Sequence, residues 1–351
     1  MPIETPADLR DQLELAIGVE LSTIPPYLYA AYSIVDQQSE PALLIKSIVV
    51  EEMLHATLAA NLLLAVGGDP SFARAAAIPQ YPMALPHHVP ELTLNLEPCS
   101  PRLIHDTLMV VEQPEAPGAA AEADRYETLG QFYAALESAV MALAASGNLF
   151  ANPQRSRQLA DPSSYRPVVF DAEDSGGLML IDDAESALAA IEIIVHQGEG
   201  LADHRWADPA HQELTHYYKL KQIHDGAAPL GAVRPALTNP RPGDMPHSLG
   251  PVLDLFDAVY RMVYLILDRL FRPVDDKAPL VKRLYRLMSE GLGPLAVYLM
   301  CQPVRPDKVA GPCFGIFEFA IEPDEELKRL GSAVLPGHPE LAPVVDAIQS
   351  I

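Results

Sequence analysis

Cysteine is scarce in this chain. Cys99, Cys301 and Cys313 are scattered and odd in number, with no Cys-x-x-Cys spacing. That excludes a disulfide framework and a thiolate zinc or iron–sulfur site. Basic residues are also few: 24 Lys and Arg stand against 47 Asp and Glu, a formal net charge of −23. Nucleic acid and anionic membrane surfaces are therefore disfavoured partners, because binding them needs clustered cations. Long apolar runs are missing as well. The apolar stretches are interrupted by Glu, His or Lys, so no membrane span is expected. The first residues, MPIETPADLRDQ, are polar and acidic, without the basic start and apolar block of a signal peptide. These absences lead to the expectation of a soluble cytoplasmic protein. Strand signal is sparse throughout, with a short alternation only at Leu92–Leu96.

What is present is helical. The chain has 351 residues, 49% of them hydrophobic, enough for two domains or one large domain with an extension. Leu9, Leu13, Ile17 and Leu21 recur at helical period and predict a helix over 6–35, capped by Thr5 with Asp8 in its first turn. Pro25-Pro26 is expected to interrupt it. A second helix runs from Ser39-Glu40-Pro41 to Val66 and stops at Gly67-Gly68. Further helices are expected at 101–112, 128–147, 184–199 and 207–225, with an extended segment at Arg166–Phe170. Beyond a Pro-rich link come helices at 249–271, 277–292 and 293–301, the last broken from its predecessor by Gly293-Pro294. One or two short helices follow within 323–351. The 34 prolines cluster in 78–117 and 228–251, read as long ordered loops.

One short word is written twice: Glu52-Met53-Leu54-His55 and Glu213-Leu214-Thr215-His216. Residues three apart on a helix share a face, so each Glu-x-x-His points a carboxylate and an imidazole the same way. Two such helices, plus one Glu from each of two more, make the two-metal site of carboxylate-bridged four-helix bundles. Glu20 lies on a largely apolar stretch, where an acid without a partner or metal is costly to bury. Glu51 and His55 also share a face, but Glu52 is preferred because its spacing recurs. Glu51 then serves as an acceptor for an imidazole N–H. Glu192, His196 and Glu199 form one stripe. Glu199, at the helix end, pairs across the following turn with Glu213 better than Glu192 does. The six candidate ligands are Glu20, Glu52, His55, Glu199, Glu213 and His216. Four carboxylates and two imidazoles suit iron or manganese better than zinc. Set against this, a lone Glu on a helix usually faces solvent and a lone His is usually a hydrogen-bonded structural residue. The tyrosines Tyr27, Tyr29, Tyr32, Tyr217 and Tyr218 read as packing. His87-His88 reads as a surface pair, and Cys99 and Cys313 as buried thiols.

The blocks ELSTIPPYLYAAYSI, IVVEEMLHATLAANLLLAVGGDP, IPQYPMALPHHVPEL, LGQFY, IVHQGEG and ELTHYYKLKQI resemble the ferritin-like domain of the iminophenylpyruvate dimer synthase family over about residues 8 to 226. The tail words LFDAVYRMVYLILDRL and AGPCFGIFEFA look familiar from the same family. The resemblance implies an all-α chain. A ferritin-like four-helix bundle with long Pro-rich loops would occupy 1–226, and a helical extension packed on it 227–351. It also implies Glu20, Glu52, His55, Glu199, Glu213 and His216 as ligand positions for two irons, with manganese as the alternative. The expected function is a di-iron oxidase or oxygenase using O2 on a small organic molecule. Oxidative coupling of an imine derived from an aromatic amino acid is the named activity of the family. Ferroxidase or iron storage, and a scaffold that has lost catalysis, are the competing expectations. A small homo-oligomer is expected from the plentiful apolar helices.

Overall fold

The computed structural model describes residues 3–74, 77–116, 118–145, 147–166, 176–198 and 215–351. Helix α1 spans Pro6–Ser33. Its start is a capping box: the Thr5 hydroxyl accepts the Asp8 N–H at 3.2 Å, and the Asp8 carboxylate accepts the Thr5 N–H at 2.9 Å. The expected interruption at Pro25-Pro26 does not occur, and the helix continues through both prolines. Pro26 has no N–H for the Ser22 carbonyl, four residues earlier. That carbonyl instead accepts the Tyr81 hydroxyl at 2.6 Å. This part of α1 is buried, so a protein partner replaces the lost helix bond where water has no access.

The short link 34–39 brings α2, Glu40–Ala65, back along α1 in the most extensive helix pairing among the described elements. Two bonds close α2. The Gly68 N–H reaches Leu63 O at 2.8 Å and the Gly67 N–H reaches Leu64 O at 3.1 Å. With Gly67 at φ +80°, this is a Schellman motif. By length and composition α2 could cross a membrane, but 94% of its apolar window is buried inside the fold. It also carries Glu51, Glu52 and His55, all buried.

Strands β1 (Met83–Ala84) and β2 (Thr93–Leu94) pair antiparallel, so the alternation at Leu92–Leu96 yields only a two-residue strand. Helix α3 runs continuously through Pro101–Leu103, a π turn at Ile104–Leu108 and Met109–Val111. Helix α4 spans Leu129–Ala144 behind a second capping box, Thr128 with Gln131. Helix α5 spans Ala184–Gly198, with the Asp183 carboxylate accepting the Ser186 N–H at 2.8 Å. Helix α6 is described as His216–His224. The earlier part of the helix expected at 207–225, and residues 167–170 of the expected extended segment, lie outside the described residues.

After the Pro-rich link come α7, Gly250–Leu270, and α8, which joins Ala278–Arg286, a π turn at Leu287–Leu292, and Gly293–Leu299. The break expected at Gly293-Pro294 is absent. A wide π turn precedes Pro294, with the Gly293 N–H bonded to Met288 O, which gives the proline ring room that an α turn denies. A hairpin of β3 (Pro303–Arg305) and β4 (Lys308–Val309) leads to α9 (Pro323–Val334) and α10 (Ala342–Ser350). Helix α9 lies along α7, and the last part of α8 contacts α1.

Candidate metal centre

The buried polar residues converge between α1, α2, α3 and α6. Glu20, Glu51, Glu52, His55, Glu112, His216 and Lys219 are each at most 3% exposed. On α1, Glu20, Thr23 and Tyr27 recur at spacings of three and four and share a face. On α2, Glu51, Glu52 and His55 occupy adjacent turns. Glu112 follows the last residue of α3, and His216 opens the described part of α6.

Each imidazole turns one nitrogen to the carboxylates and the other to a neutral or charged acceptor. His216 Nδ1 lies 3.0 Å from Glu52 and 3.3 Å from Glu112, while its Nε2 lies 3.0 Å from Glu51. His55 Nδ1 lies 3.4 Å from Glu20, while its Nε2 lies 3.0 Å from Gln197 Oε1. With acceptors at both Nε2 atoms, a metal taken up at the inward Nδ1 atoms would leave the ring proton on Nε2. The rings stack with centroids 5.3 Å apart. One ligand atom each from Glu52, His55 and His216 fall within 4.8 Å of one another.

Hydroxyls and one ammonium hold the carboxylates. Tyr133 donates to Glu20, Tyr27 donates to Glu112, and Thr23 donates to Glu52 Oε2 at 2.6 Å. Lys219 is fully buried and its ammonium bonds Glu51. Burial alone would raise the Glu51 carboxyl, but the Lys219 charge and the His216 hydrogen bond hold it down at about 2. Burial likewise works against Glu20, yet the His55 hydrogen bond and charge keep it below the ordinary range. Glu52 goes the other way: burial, then the charges of Glu20 and Glu112, push it well above the carboxylate range. His216 is raised against its burial by Glu112, Glu51 and Glu52.

Four buried carboxylates against one ammonium leave an excess of negative charge in a dry site. Such an excess must be neutralised by protons or by cations. Glu51 Oε1 is also buried with no hydrogen-bond partner among the described residues. The mixed carboxylate and imidazole donors fit divalent iron or manganese.

Of the six residues expected as ligands, Glu20, Glu52, His55 and His216 meet in this cluster. Glu199 and Glu213 lie outside the described residues. Gly198 ends α5 close to the cluster: a Cβ at that position would lie 3.7 Å from Glu112 Oε2. Glu51 accepts the imidazole of His216, on the other Glu-x-x-His. Glu112 was not singled out from the sequence. The signal was its place at the end of the apolar run Leu108–Val111, the same argument that marks Glu20. Glu112 also lies four residues after Leu108 and eight after Ile104, both buried, so helical period was a second signal. Lys219, one turn past His216, and Tyr133, on another helix, were missed too, because neither is a residue type the repeated word marks.

The Ferritin-like family model matches residues 13–225. The chain belongs to the Ferritin-like family. Among its relatives, the 2-imino-3-(indol-3-yl)propanoate dimerase of Chromobacterium violaceum is 26% identical, over 88% of this chain and 34% of that protein. The dichlorochromopyrrolate synthase of Lentzea aerocolonigenes is 24% identical, over 90% of this chain and 36% of that protein. The ferritin-like chain thus spans about a third of the length of the curated relatives it matches. A crystal structure of a ferritin-like protein from Caulobacter vibrioides superposes with a TM-score of 0.59 at 23% identity. It covers 89% of this chain and all of that one, and shares its fold.

Proposed function

We propose that this ferritin-like chain is an oxidoreductase whose redox centre is a pair of iron ions, with manganese as the alternative metal. Glu20, Glu52, His55, Glu112 and His216 would hold the metals, together with Glu199 and Glu213 from outside the described residues. The observation that carries the reading is the pair of stacked imidazoles, both Nδ1 atoms turned to one set of buried carboxylates and both Nε2 atoms anchored outside it. Bound iron would supply the electron transfer to O2 that no side chain here performs.

The chain's own residues do the positioning. Thr23, Tyr27 and Tyr133 each fix a carboxylate oxygen, so the donors are preorganised. Glu51, held ionised by Lys219, fixes the His216 ring and its tautomer. The near-complete burial of the cluster excludes bulk water. The division at residue 226 into a bundle and a helical extension is part of the same proposal, supported by a family match that ends at residue 225.

The substrate class follows from the relatives. One is named as the dimerase of an indolyl imine acid and the other as a dichlorochromopyrrolate synthase, so the proposed reaction is oxidative coupling of an imine derived from an aromatic amino acid. Joining two such molecules by a new carbon–carbon bond breaks one bond to hydrogen on each, and the two electrons and two protons released would reduce one O2 to H2O2. The test is Fe(II)-loaded protein given O2 and the imine of tryptophan, generated in place by an amino-acid oxidase. A product with the mass of two imines less two hydrogens supports the reading. O2 uptake that consumes only Fe(II), with no organic product, would replace it by a ferroxidase.

A further inference from the structure

A second cavity lies on the far side of α2 from the carboxylate cluster. It measures about 500 Å³ and is walled by α1, α2, the π turn of α8 and Tyr165. That size falls among ordinary small-molecule sites. Helix α2 contributes Lys46, Val49, Val50 and Met53, one stripe at helical spacing. At 100° per residue this stripe is about half a turn from Glu51, Glu52 and His55. A ligand in the cavity would therefore meet the opposite face of the helix and touch none of the cluster.

The lining is apolar and aromatic. The rings of Tyr32, Tyr165 and Tyr285 and the thioethers of Met53 and Met288 supply flat and polarizable surface. Lys46 is the only ionised side chain among the described lining residues. It is half-buried and its ammonium donates to Gln37 O at 3.0 Å. No carboxylate of the described residues pairs with it, although the chain carries a net charge of −23. A three-proton donor with one described acceptor retains capacity for an anion. Its partial burial depresses the ammonium, and an anion beside it would offset that cost.

We propose that this cavity is a binding site for a planar aromatic carboxylate, with the ring against the tyrosine and methionine side chains and the carboxylate on Lys46. The site is independent of the metal centre and of the reaction proposed for it. Its apolar walls bind the ring, and its single cation selects acid over amide.

The test is isothermal titration of the 351-residue chain with 2-naphthoate and with 2-naphthamide. The acid should bind at least about tenfold more tightly than the amide, as a charge-assisted hydrogen bond requires. Lys46→Met should reduce the acid to the level of the amide, and Lys46→Arg should retain the preference. Val297→Trp, which fills the cavity from α8, should abolish binding of both and serves if Lys46→Met does not fold. Exposed Glu192→Ala, on α5 and away from the cavity lining, should leave binding unchanged. No binding of the acid, equal binding of acid and amide, an unaltered affinity in Lys46→Met or Val297→Trp, or loss of binding in Glu192→Ala would each overturn the assignment.

Discussion

Replacing Lys219 by methionine in the metal-free protein removes the ammonium from a fully buried ion pair. Lys219 and Glu51 are at most 1% exposed, and Glu51 Oε2 also lies 3.0 Å from His216 Nε2. Removing one partner of a buried pair leaves the other charge uncompensated and costs about 3–5 kcal/mol. The Lys219 charge, with the His216 hydrogen bond, also holds the Glu51 carboxyl below its ordinary value, at about 2. A depressed carboxyl stabilises the fold above its unfolded value, and that stability is lost as pH falls from about 4.5 toward 2. Urea unfolding at pH 7 should show Lys219→Met weaker by about 3–5 kcal/mol. Between pH 4.5 and pH 2 the wild type should lose stability faster than the variant does. Adding Glu51→Gln to Lys219→Met should recover part of the loss, giving strong coupling in a double-mutant cycle. A Lys219→Met cost below about 1 kcal/mol, or additive single effects, would refute the buried-pair reasoning.

Other substitutions probe separate links. Asn61 is fully buried and bonds both the N–H and the carbonyl of Leu159, at 3.0 and 2.7 Å, so Asn61→Ala should cost about 2–4 kcal/mol by denaturant unfolding. Gly67→Ala should cost about 1 kcal/mol in the same assay, since φ +80° at the α2 terminus strains any side chain. Glu112→Ala should lower Mn(II) binding by at least about tenfold, measured by electron paramagnetic resonance, whereas exposed Glu192→Ala should leave it unchanged. Thr23→Val should leave stoichiometry intact and weaken affinity about tenfold, because Thr23 bonds Glu52 without belonging to the donor set.

Much of the helical frame was legible because period and caps are local. Thr5 with Asp8 starts α1, and Gly67-Gly68 ends α2, through bonds that reach no more than five residues. The prolines misled for the opposite reason. Whether Pro26 breaks α1 depends on Tyr81, far along the chain, taking the freed Ser22 carbonyl. Gly293-Pro294 is spanned by a π turn that no period reveals. In the centre, Glu20, Glu52, His55 and His216 were marked by spacing and by acids on apolar helices. Glu112 escaped because an acid just past the end of a short helix reads as exposed, and its burial comes only from the helices packed around it. Lys219 escaped because a lysine one turn past a histidine reads as surface until burial shows otherwise.

The most direct test of the account is metal stoichiometry after anaerobic loading with Fe(II), on wild type and on His216→Ala. Two irons per chain in the wild type, with His216→Ala folded and holding fewer, is the expected result. A folded wild type that retains no iron above background, or a His216→Ala variant that binds as much as the wild type, would contradict it.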